Sequence, residues 1–176
     1  MTEYKELSPY ELLENLKITT VPIDPFIIAE TMGVDVKKDI IIDKLTYDGE
    51  IYLNEKTHKP EIWINPTNSI NRQKFTMAHE IGHLVYDLLT NIDNFKPIHD
   101  NYKTLRRDGS QNPIERRAND YAAKLLMPKN LVLEIGQKLI EEYNIQTKEE
   151  ITIKLAEKFE VSQDAMKWRL VNLGLI

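Results

Sequence analysis

The chain has 176 residues, 41% of them hydrophobic and 29% charged, with a formal net charge of −5. That length and apolar content fit one folded domain, or one with a small appendage, and exclude a disordered chain. The acidic balance argues against a broad nucleic-acid surface. The lack of cysteine excludes disulfides and thiolate sites, so any metal must be held by histidine and carboxylates.

Met1 to Glu14 is polar and acidic, without a signal-peptide pattern, and no apolar run approaches the ~18 residues of a membrane span. A cytoplasmic location and no membrane contact are the expectations. In chain order, Ser8-Pro9 reads as a helix cap and first position for a short helix over Tyr10 to Leu16. Asp24 and Pro25 start a second helix, within Pro22 to Met32, that Gly33 stops.

The period then changes. Val34 to Lys37 alternates apolar and polar residues, and Gly49 to Asn54 and Pro60 to Asn65 are β-rich, joined by the polar turn Glu55 to Lys59. These predict a small, mainly antiparallel three-stranded sheet with a hairpin. Trp63 is read as a sheet-face aromatic, with a substrate contact as the alternative. The strand from Glu61 to Asn65 is read as a sheet edge able to pair with an extended substrate.

Ser69 to about Asn91 predicts one long helix, and Asn94 to Pro113 a long loop containing His99. Helices follow over Ile114 to Met127 and Asn130 to Tyr143. Thr147 and Glu150 form a capping box for a helix to Phe159, and Ser162 caps a last one from Gln163 to Asn172. Residues 1–146 are therefore read as the main domain and 147–176 as a helix-turn-helix-like pair packed on it. Met166, Trp168 and Leu170 are expected in the core. Lys167 and Arg169, set against Asp164, are too little base for phosphate binding, so direct DNA contact is not expected.

The chemistry concentrates in His79-Glu80-Ile81-Gly82-His83. Placed at 100° per residue, His83 falls about 40° and Glu80 about 100° from His79. Met77, Leu84, Leu88, Ile70, Ile81 and Val85 gather on another face, so the motif is expected to turn away from the apolar core. Residues four apart stand one turn above each other, so two imidazoles can reach one zinc ion. Glu80 lies beside them as a general base rather than a ligand. Catalytic zinc needs a third protein ligand, and the candidates are Asp87, His99, Asp100, Glu115 and Asp120. Glu115 is favoured because it opens the next long helix. Asn119, one turn on, can accept from the free ring nitrogen of His79 or His83. His99 is a solvated loop histidine or a substrate contact.

The run Arg72 to His83 (RQKFTMAHEIGH) resembles the active helix of the ImmA/IrrE family of metallopeptidases. Glu115 to Pro128 (ERRANDYAAKLLMP) is similar to that family's second signature, with Tyr121 where phenylalanine is commoner. The ending from Val161-Ser162 to Leu175 is also similar, and the resemblance covers roughly residues 23 to 176. It implies an α+β zincin-like fold, with a small sheet packed on the active-site helix and a helical C-terminal half. It implies one zinc ion on His79, His83 and Glu115, with Glu80 as the base. It also implies a protein substrate: a helix-turn-helix repressor of a mobile element or stress response, here a separate chain. The sequence does not fix the oligomeric state, with a monomer favoured. The competing readings are a zinc-containing transcriptional regulator and a toxin–antitoxin-type interaction module, both acting by binding without proteolysis.

Overall fold

A computed structural model describes residues 1–100 and 112–176, with backbone alone for His99 and Asp100. Helix α1 spans Pro9–Asn15. Ser8 caps it, with Glu11 bonding back to the Ser8 amide, a reciprocal pair that contributes about 1 kcal/mol. Helix α2 (Pro25–Thr31) is capped by Asp24, whose carboxylate accepts from the Phe26 amide. It ends at Gly33, which has φ of +80° and takes the left-handed turn that a side chain resists.

Strands β1 (Asp35–Lys37), β2 (Gly49–Leu53), β3 (Pro60–Ile64) and β4 (Ile98–Asp100) form one sheet in the order β1-β3-β2-β4. The hairpin β2–β3 is antiparallel, as its polar turn predicts, and β4 pairs antiparallel with β2. β1 pairs parallel with β3. The expected three-stranded, mainly antiparallel sheet is therefore corrected to a four-stranded mixed one. The extra strand lies in the segment read as loop, because three residues are too few to show a period. β3 is also interior, hydrogen-bonded on both sides, so it is not the free edge proposed for substrate pairing.

Helix α3 (Ile70–His83) runs from its Ser69 cap and continues as a π turn, Leu84–Leu88, closed by a bond from the Leu89 amide to the Leu84 carbonyl. It is the central helix. It packs against β2 and β3, against α2, and against α4 (Pro113–Leu126). Met77, Ala78, Ile81, Leu84, Val85 and Leu88 are fully buried, and each large member contributes roughly 1.5–3 kcal/mol. Gly82 is what lets α4 lie so close. A Cβ there would stand 3.1 Å from Tyr121 Cβ and 3.2 Å from Ala118 Cα.

Helices α5 (Lys129–Tyr143), α6 (Lys148–Phe159) and α7 (Gln163–Asn172) complete the chain, with the Thr147–Glu150 capping box and the Ser162 cap in place. α6 and α7 join the common core through Leu155, Ala156, Phe159, Met166 and Leu170. Trp168 departs from expectation: it is 65% exposed, while Arg169 is buried and donates from Nε to the Met127 carbonyl at 2.9 Å. The guanidinium caps the open C-terminal end of α4, where unsatisfied carbonyls favour a cation. Among the described residues, no helix is long and apolar enough to cross a membrane.

Candidate metal centre

Two neighbouring helices build the site. α3 supplies His79 and His83 one turn apart, and α4 supplies Glu115 from its first turn. The His79 and His83 Nε2 atoms lie 2.9 Å apart. Glu115 Oε2 is 3.2 Å from His79 Nε2, and Oε1 is 3.5 Å from His83 Nε2. One ligand atom from each residue lies within 4.8 Å of the others, the geometry of atoms that can share an ion.

The opposite ring nitrogens are held as well. His79 Nδ1 lies 3.1 Å from Asn119 Oδ1, and His83 Nδ1 lies 2.8 Å from Asp87 Oδ2. An amide oxygen and a carboxylate only accept, so each Nδ1 carries a hydrogen and each Nε2 is the ring nitrogen left facing Glu115 to ligate. Asp87 is in turn paired with Arg117 of α4. The sequence placed Asp87 among the candidate third ligands; its carboxylate instead orients His83 from behind. Its position four residues after His83 was the available signal. Asp120 is exposed and paired with Lys124 at 2.6 Å, away from the cluster. The side chains of Asp100 and His99 lie outside the described residues; the His99 backbone sits in β4 opposite Glu50.

The motif face is not the solvated face that its polarity implies. His79, Glu80 and His83 are all 0% exposed, because α4 and the sheet cover both sides of α3. Burial alone disfavours charge on the His83 ring, but the Asp87, Glu115 and Glu80 carboxylates raise its pKa to about 10. Glu115 is the mirror case. Burial works against its charge, yet the two imidazoles hold it down at about 2.

Trp63 is 0% exposed in β3 and donates from Nε1 to the Asp39 carbonyl at 2.9 Å, in keeping with the sheet-face reading. Sequence reasoning did not single out Gly49 and Gly82, where an added Cβ would crowd Thr76 and Glu80 or Tyr121 and Ala118; their signal is only the absence of a side chain in a strand and in a helix interior.

Residues 29–171 match the peptidase family M78, described as the IrrE N-terminal-like domain. The chain belongs to this family. The radiation response metalloprotease IrrE of Deinococcus radiodurans is 40% identical over 74 residues, a stretch that is 42% of this chain and 21% of that protein. The match thus spans about a fifth of that relative's length. The family match itself runs across both helices and sheet and into α7, so it includes the C-terminal helical pair as well as the histidine and glutamate cluster.

Proposed function

We propose that this chain is a zinc-dependent endopeptidase of zincin-like architecture that cuts a helix-turn-helix transcriptional repressor at one site. The observation that carries the reading is the convergence of His79, His83 and Glu115 from two helices, with Glu80 buried next to them. The donor set fits the ion. Two imidazole nitrogens and one carboxylate, each imidazole oriented from behind, is a combination that catalytic zinc uses with a position left for substrate. Zinc held there supplies Lewis acidity to the scissile carbonyl and to the attacking water.

The chain's own residues do the rest. A Glu80 carboxylate oxygen takes a proton from the attacking water as its oxygen bonds to the carbonyl carbon. The same carboxyl then delivers that proton to the amine nitrogen as the C–N bond breaks. Asn119 and Asp87 keep the imidazoles facing the reaction centre throughout.

The likeness to a radiation response metalloprotease supports proteolysis in a stress response. Burial of Arg169 disfavours the regulator reading, since it removes one of the few basic groups that α7 would offer to phosphate. The test is co-expression with helix-turn-helix proteins encoded beside the gene, with new N-termini read by mass spectrometry. Wild type is expected to cut one of them, and Glu80→Gln to hold zinc and cut none. A zinc-loaded wild type that leaves them all intact would count against the reading.

A further inference from the structure

β2 meets α3 at a residue with no side chain. A Cβ on Gly49 would stand 2.5 Å from Thr76 Cγ2, 2.9 Å from Glu80 Oε1 and 3.3 Å from the Trp63 carbonyl oxygen. Carbon atoms not bonded to each other settle at about 3.5–4.0 Å, so the first two contacts are untenable without movement. Gly49 is paired with Ile64 of β3 on one side and Asp100 of β4 on the other.

The preceding residue tightens the arrangement. Asp48 accepts two bonds from Arg72, at 2.5 and 3.2 Å, and one from Asn68 at 2.8 Å. Its carbonyl accepts from the Asn65 amide at 3.0 Å. Arg72 belongs to α3, the helix that carries Glu80. Strand and helix are thus clamped at Asp48–Arg72, one residue before Gly49.

We propose that Gly49 is the positioning residue for Glu80. The space that a side chain at position 49 would fill is bordered by the Thr76 methyl and by one Glu80 carboxylate oxygen, and the Asp48–Arg72 clamp holds the strand against the helix there. This inference rests on the role of Glu80 as base given above. His79, His83 and Glu115 are not among the three nearest neighbours of the added Cβ, so a side chain at position 49 displaces the base and spares the metal ligands. Restoring an ordinary contact moves Glu80 by about half an ångström. A 1 Å misplacement costs on the order of 10²-fold, so kcat is expected to fall about tenfold with KM unchanged.

The test compares zinc-loaded wild type, Gly49→Ala, Thr76→Ser, and the double variant. Thr76→Ser removes the methyl that makes the 2.5 Å contact, which protects the fold in the double variant. The probe is a proteome-derived peptide library, with the best-cut sequence remade as a fluorogenic peptide. Crystal structures of each protein give the position of Glu80 independently of activity. The expected result is full zinc content in all four and wild-type kcat for Thr76→Ser. Both Gly49→Ala proteins should show lower kcat and a displaced Glu80. A double variant with wild-type kcat and an unmoved Glu80 would overturn the proposal, as would a loss explained by missing zinc. If the wild type cuts nothing, the proteolysis reading fails, and the crystal structures alone decide Gly49: a displaced Glu80 supports the inference and an unmoved one sinks it.

Discussion

Gly82→Ala tests whether the spacing of α3 and α4 sets the metal site. The added Cβ would stand 3.1 and 3.3 Å from Tyr121 Cβ and Cγ and 3.2 Å from Ala118 Cα. Ala118 Cα is backbone, so relief requires α4 to move by a few tenths of an ångström. Two effects oppose each other. Overpacking a filled interface costs about 1–3 kcal/mol. Replacing glycine by alanine inside a helix returns about 1 kcal/mol. The net expectation is a loss of roughly 0–2 kcal/mol, or a fall in Tm of up to about 8 °C for a chain of this size. The effect on metal should be larger, because Glu115 rides on the helix that moves. Losing an outer partner of a ligand already costs about 10–100-fold in affinity, and displacing the ligand itself should cost at least as much. Thermal melting with and without zinc, together with chelator competition, measures both. Wild-type zinc affinity in a folded Gly82→Ala protein would refute the argument that this contact sets the ligand geometry.

Three further outcomes follow from the same geometry. Asn119→Ala should leave the fold intact and weaken zinc binding about 10–100-fold, since it frees the His79 ring; unchanged affinity in competition titrations would remove that role. Tyr121→Phe should raise stability by about 1 kcal/mol, because the buried Tyr121 hydroxyl has no hydrogen-bond partner among the described residues and burial pushes its pKa up. A lower Tm would show that the hydroxyl is bonded.

The third concerns pH. The His83 pKa is raised from 6.5 to about 10, so its contribution to metal-free stability is full below 6.5 and lost as pH rises through about 10. Glu115 is lowered from 4.5 to about 2, so its contribution is full above 4.5 and lost as pH falls through about 2. Zinc must displace the His83 proton throughout the neutral range, and its affinity should therefore climb about tenfold per pH unit from 6 to 9. A flat profile from chelator competition would contradict histidine ligation.

The local signals in the sequence were read correctly because they act locally. Ser8, Asp24, Thr147 and Ser162 all cap the helices they predict, and the hairpin turn joins the two strands expected. The grouping of His79, His83 and Glu115 was legible too, since the HExxH spacing and an acidic residue opening the next helix are both written in the chain. What the sequence withheld depends on non-local packing. Helical periodicity shows that α3 has two faces, but not that α4 and the sheet bury the polar one as well. The parallel pairing of β1 with β3, which makes β3 interior, joins strands that a local pattern cannot pair. The exchange of Trp168 and Arg169 has a similar cause. Trp168 looks like core by composition, but the docking angle of α7 turns Arg169 inward to the end of α4.

The central claim is that His79, His83 and Glu115 hold zinc while Glu80, close by, acts on the substrate without holding it. Elemental analysis and substrate cleavage, measured side by side on wild type, Glu115→Ala and Glu80→Gln, test it most directly. Wild type should carry one zinc and cut, Glu80→Gln should carry one zinc and not cut, and Glu115→Ala should lose the metal. Zinc loss in Glu80→Gln, or full zinc in Glu115→Ala, would contradict the account.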